Sequence, residues 1–158
     1  MPLRKPSTCG TRARGIDLTW RAWLLSIALV SCVSGCWLET PSSRFDDRAE
    51  AERSELFDKG WLPQWLPSSA RRIREKHNLD TSQTLLRFEF SAANLPPFGA
   101  SCAETTADAI RFPSLDATWW PEHEVLATMP HLYRCHHDSG FLAIPAEGGI
   151  AYFWRMHA

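Results

Sequence analysis

The segment from Arg21 to Cys36, Arg-Ala-Trp-Leu-Leu-Ser-Ile-Ala-Leu-Val-Ser-Cys-Val-Ser-Gly-Cys, constrains the rest of the chain more than any other. Its apolar run from Ala22 to Val33 is interrupted only by Ser26, Ser31 and the small Cys32. A run of about a dozen residues is too short to cross a bilayer core, which takes roughly 20. It does have the length of the apolar region of an export signal. Arg4, Lys5, Arg12, Arg14 and Arg21 accompany it against a single acid, Asp17. That bias holds an N-terminus on the cytoplasmic side. Residues 1–35 are therefore expected to be a leader that takes no part in the fold, and the chain after them is expected to fold outside the cytoplasm.

The leader closes on Val33-Ser34-Gly35-Cys36, an aliphatic residue, two small ones and a cysteine. This resembles the lipobox of bacterial lipoprotein precursors. The resemblance implies a diacylglyceryl group on the Cys36 sulfur, cleavage just before Cys36 and acylation of the new amine. That covalent lipid is the one prosthetic group expected, with no other cofactor. A single acyl chain anchors only marginally, whereas two or more hold durably at about 0.8 kcal/mol per buried methylene. Val33 departs from the commoner leucine and the basic region is long; a plain secretory signal or a single-pass anchor are the alternatives. Trp37 stands where an aspartate retains enteric lipoproteins in the inner membrane, so family precedent leans to the outer one. The resemblance thus implies a lipid-anchored protein of the cell membrane or outer membrane, facing the periplasm. Its parts would be a lipidated tether at 36–45 and a single domain at 46–158.

Without the leader roughly 120 residues remain, the usual size of one domain. The leader takes five of the 17 basic residues and one of the 18 acidic ones, leaving 12 against 17 and a net charge of −5. An acidic domain has no electrostatic case for nucleic acid. Nor does it carry a basic stripe for membrane headgroups; the lipid is expected to do the anchoring. Cys9 and Cys32 leave with the leader and Cys36 is consumed by lipid, so Cys102 and Cys135 remain as a pair in an oxidising compartment. A disulfide between them is the expected state. Separately buried thiols, or a catalytic or metal-binding cysteine, are the competing readings.

Along the mature chain, Asp46–Lys59 reads as a helix, with Asp46 or Asp47 as its cap and Gly60 as its end. Its apolar face is thin. Two Trp-Leu-Pro units come next, at Trp61 and Trp65, in a stretch that Pro63 and Pro67 keep from being helical. They predict a hydrophobic strap over the core or, alternatively, an exposed aromatic ledge for an envelope protein or a glycan. Ile73, Glu75, His77 and Leu79 alternate with polar residues, as do Leu86, Phe88 and Phe90. With Asp80–Gln83 between them they predict an antiparallel hairpin. Ser91–Ser101 is a connection, Cys102–Phe112 holds a helical turn, and Glu122–Met129 is a short helix or strand. Leu132–His136, Gly140–Ile144 and Gly149–Met156 form a meander. The fold class expected is α+β, a small antiparallel sheet of about five strands with one or two helices. Its core candidates are Leu79, Leu86, Phe88, Phe90, Trp119, Leu132, Phe141, Ile144, Tyr152 and Trp154. Trp61 to Asp80 is also similar to a group of small, uncharacterised bacterial lipoproteins that share Trp-Leu-Pro, Leu-Pro-x-Ser-Ala, an isoleucine, Glu-x-His and an aspartate. That resemblance brings no activity with it.

Candidate chemistry is sparse. Glu75 and His77, two apart, point to one face of a strand and could form an acid/base pair; an ion pair is the plainer reading. His131, Cys135, His136 and His137 lie within seven residues, but a disulfide would remove the Cys135 thiolate from any zinc site. Ser-x-x-Lys and Gly-x-Ser-x-Gly are absent from the sequence. No catalytic or metal-ligating residue is therefore assigned, and the function expected is non-enzymatic binding or support of an envelope assembly. The alternative is a small envelope hydrolase or metal-dependent enzyme using Glu75, His77 and the 131–137 cluster.

Overall fold

The computed structural model describes residues 39–91 and 101–156. The leader and its lipobox cysteine, and most of the Ser91–Ser101 connection, lie outside the described residues. The described part is built on one antiparallel sheet. Its strands are β1 (Ser42–Asp47), β2 (Arg71–His77), β3 (Thr84–Glu89), β4 (Cys102–Glu104), β5 (His131–Cys135), β6 (Gly140–Ile144) and β7 (Ile150–Arg155). Their order across the sheet is β1-β2-β3-β7-β6-β5-β4. The helices are short: α1 (Arg48–Glu52), α2 (His123–Ala127) and a 3₁₀ turn at Ala107–Ala109. Sheet predominates, with seven strands where about five were expected.

The expected hairpin and meander both form. In the hairpin, Asn78 turns the chain by accepting from the amides of Asp80 (2.9 Å) and Thr81 (2.8 Å). Ser82 takes the left-handed φ of 54° that the turn requires. The meander β5-β6-β7 then docks its last strand on β3, Leu86 opposite Phe153 and Phe88 opposite Ala151.

Three expectations are corrected. The tether does not run to residue 45, because Ser42–Asp47 pairs with β2 as an edge strand. The helix expected over 46–59 is only α1. Asp47 caps it by accepting from the Glu50 amide at 2.8 Å, and the Glu50 carboxylate accepts in return from the Asp46 amide at 2.7 Å. It stops because the Ser54 hydroxyl takes the Ala51 carbonyl (2.6 Å) and the chain continues in turns to Gly60, whose φ is +75°. Leu79 is not core: β2 ends at His77, and Leu79 lies 53% exposed in the turn.

The two faces of the sheet bury different covers. On one, Ala51, Phe57, Leu62, Leu66 and Ala70 pack onto Ile73, Leu86, Phe88, Leu142 and Phe153. This is the strap reading of the Trp-Leu-Pro segment. The Arg48 guanidinium bonds the Leu66 carbonyl and lies over the Phe57 ring, tying α1 to the strap. On the other face, Ile110, Leu115 and Leu126 pack on Leu85, Phe141 and Trp154. Trp119 and Tyr152, expected inside, are only partly buried at the rim of this second core. The Trp154 indole donates to the Arg111 carbonyl at 2.6 Å, fastening the second cover to β7.

Candidate functional site

Directly paired residues of an antiparallel sheet share a face. The register therefore sets His77, Thr84, Arg155, Gly140, Cys135 and Cys102 in one row across six strands, beneath the strap. Glu75 lies one pleat back on the same face. Both Glu75 and His77 are buried, and Glu75 Oε1 lies 2.7 Å from His77 Nδ1. The Trp61 indole stacks on the imidazole, with 3.9 Å between centroids and 14° between planes. Burial pushes the Glu75 carboxyl above the ordinary glutamate range, an effect that the His77 hydrogen bond and the charges of His77 and Arg155 reduce.

Arg155 carries the network onward. Its guanidinium donates to the Gly60 carbonyl at 2.7 Å and stands 3.8 Å from Asp138, which accepts from the Trp65 indole at 2.7 Å. Both strap tryptophans thus end on one polar network, Trp61 through His77 and Trp65 through Asp138. Trp65 also meets the Phe153 ring edge-on at 5.2 Å. Trp61 and Trp65, the pair expected to meet a partner, are each half-buried in the strap. Two indoles followed by prolines bury their leucines, and each ring finds a partner in its own chain.

The other suspected residues are dispersed. Cys102 and Cys135, opposite one another in the β4–β5 pair, are joined by a disulfide with Cα atoms 3.9 Å apart. His131, His136 and His137 are exposed and are not gathered with Glu75 and His77. Among the described residues no three His, Cys, Asp or Glu side chains could hold a metal ion. No helix among them is long and apolar enough to cross a membrane.

What sequence reasoning missed lies on the opposite face. The second cover reaches β2 near its end, where Lys76 donates to the Asp116 carbonyl at 2.8 Å, and beyond that point it leaves a charged row across β1, β2 and β3 open. There Arg44 pairs with Arg74 and Arg74 with Arg87, in line with Tyr152 on β7. A groove of about 510 Å³ opens over this row, lined by Arg44, Asp46, Arg72, Arg74, Arg87, Glu89 and, at its rim, Trp119. A second groove of about 620 Å³ shares Asp46, Arg72 and Glu89 with it. Arg72 enters both because β2 is bulged between Arg71 and Arg74, with Arg72 at a φ of 45°. The alternation of Arg72, Arg74 and Lys76 was legible as an outward face. The missing signal was Ser43-Arg44-Phe45-Asp46, whose own alternation marks a third strand beside it.

The YbbD head domain family model matches residues 39–89, about a third of the chain, which takes in β1, α1, the strap, β2 and β3. The match suggests a bacterial family associated with the cell envelope. No curated protein and no solved structure matches the chain.

Proposed function

We propose that this protein is a lipid-anchored binding domain of the bacterial cell envelope, held by Cys36 to the cell membrane or outer membrane and facing the periplasm. The observation that carries the reading is the Val33-Ser34-Gly35-Cys36 box at the end of a basic, apolar leader. The match to the YbbD head domain, which begins at Glu39, supports it. The start of the folded part adds a geometric consequence. The Leu79 amide donates to the Glu39 carbonyl (2.9 Å) and the His77 amide to that of Pro41 (3.1 Å), so the chain is fixed to the hairpin from Glu39 onward. Only Trp37 and Leu38 separate Cys36 from that point. Three extended residues span at most about 11 Å. The domain is therefore seated at the membrane surface rather than suspended from it.

The domain acts by binding. The Glu75–His77 pair is closed beneath Trp61 and serves to pin the strap, whereas the open surface of the hairpin half is a charged groove. Anchoring is tested by labelling cells with palmitate and fractionating them. Wild-type chain should carry label and sediment with membranes, and Cys36→Ser should do neither. A Cys36→Ser chain that is processed, labelled and membrane-bound like wild type would overturn the proposal.

A further inference from the structure

We propose that the groove over Arg44, Arg74 and Arg87 is a binding site for a phosphate group carried on a hydroxylated ring, such as a sugar phosphate. The inference rests on the reading of this protein as a binding domain, and it names the ligand.

Three observations converge on it. Like charges directly opposite one another across strands destabilise a sheet, and neighbouring strands lie only about 4.8 Å apart. Arg44, Arg74 and Arg87 nonetheless stand side by side on three adjacent strands. Arg87 shares Glu89 with Arg72, whereas among the described residues neither Arg44 nor Arg74 has a carboxylate partner. The four arginines lining the groove, Arg72 included, face two carboxylates, Asp46 and Glu89, which leaves two positive charges. This excess lies on a domain whose overall charge is negative.

The second observation is the backbone. A non-glycine residue at φ 45° is strained, and bulges commonly redirect a side chain toward a site. Here the bulge brings a fourth guanidinium, Arg72, to the same groove. Guanidinium groups bind phosphate oxygens through paired N–H donors. Three or four of them suit a tetrahedral dianion better than a carboxylate, which one fork satisfies.

The third is the rest of the wall. Trp119 is partly buried, edge-on to Trp120 at 5.8 Å, and offers a flat apolar surface at the groove's rim. Asp46 and Glu89 are acceptors for hydroxyl groups. They would also repel a long polyanion, which favours a compact ligand bearing one phosphate. The groove volume falls within the usual range for small-ligand sites.

The test uses the full chain in neutral detergent micelles, titrated calorimetrically with inorganic phosphate and with glucose 1-phosphate. Both should bind, the sugar phosphate more tightly. Arg44→Gln and Arg74→Gln should each weaken both ligands about tenfold, as expected for one charged hydrogen-bonding group. Both variants should melt no lower than wild type without ligand, because a like-charge contact has been relieved. Trp119→Phe should weaken glucose 1-phosphate while leaving inorganic phosphate unchanged. Competition by micelles doped with phosphatidylinositol 4-phosphate, whose hydroxylated ring carries a dianionic phosphate, would place the group on a lipid headgroup, and binding that such micelles do not displace would place it on a soluble ligand; either supports the site. Failure of both phosphates to bind at millimolar concentration, or binding that the arginine substitutions leave unchanged, would overturn it. The titration does not depend on whether Cys36 carries lipid, so its failure leaves the anchoring proposal standing, and failure of the fractionation leaves the groove standing.

Discussion

Breaking the Cys102–Cys135 disulfide should cost a large part of the stability of the fold. The two cysteines are 33 residues apart, and the segment they enclose is almost the whole second cover, from Ile110 through Leu126. On the chain-entropy relation, a loop of that length restricts the unfolded chain by about 12.5 cal/mol/K, or about 3.7 kcal/mol at 25 °C. Domains of this size are stable by only about 5–15 kcal/mol. The cleanest perturbation is reduction, which keeps both sulfur atoms in their buried places. The double variant Cys102→Ala, Cys135→Ala is the genetic counterpart and should cost slightly more, through the space it leaves. In urea, with a slope of about 1.5 kcal/mol/M, the midpoint should fall by about 2.5 M. In a thermal scan, at about 4 °C per kcal/mol, it should fall by about 15 °C. A shift below about 0.5 M on reduction would refute the reasoning. It would mean that the 102–135 loop is already drawn together in the unfolded ensemble, so that the bond removes little freedom.

Two further outcomes concern the row beneath the strap. A Cβ at Gly140 would lie 2.5 Å from Phe153 Cε2 and 2.7 Å from the Trp154 carbonyl oxygen, so Gly140→Ala should cost about 3 kcal/mol by overpacking. Gly60→Ala, with nothing within 4 Å but a φ of +75°, should cost only about 1 kcal/mol; urea midpoints in the reverse order would contradict this. Glu75 has its folded-state pKa raised, so between the ordinary glutamate value and the raised one the folded chain holds the extra proton. Its contribution is then favourable at low pH and declines as pH rises through that window. The stability of wild type minus that of Glu75→Gln, measured by urea unfolding across pH, should therefore fall above about pH 4.5; a flat or rising difference would count against the assignment.

How much of this was readable beforehand depends on the range of the interaction. Elements coded by neighbours in sequence were legible. The period-two runs from Ile73 and from Leu86, the turn expected at Asp80–Gln83 and the three strands of the meander all come from local pattern. The strap was legible as well, since prolines after each Trp-Leu pair forbid helix while the leucines still require burial. Two features went unseen because distant pairing decides them. Ser42–Asp47 is polar on its outer side and carries Phe45 as its one apolar residue, so its strand state comes from β2 alongside it. Arg44, Arg74 and Arg87 become a site only once two registers are known. Glu75 and His77 were legible as sharing a face, but the sequence could not show that Trp61 closes over them. Leu79 was misplaced by carrying the alternation one pleat past the end of β2.

The seam between β3 and β7 has a consequence for how this protein can be divided. The YbbD head domain match stops at Glu89, the last residue of β3, and β3 bonds to β2 on one side and to β7 on the other. Cut there, the amino-terminal half would expose one edge of β3, where every other residue loses its hydrogen bonds to β7, an invitation to pair with whatever strand comes first. In this chain the matched portion is thus one side of a continuous seven-stranded sheet. This chain, ended at Glu89, would have to borrow a strand from a neighbouring molecule to cover that edge.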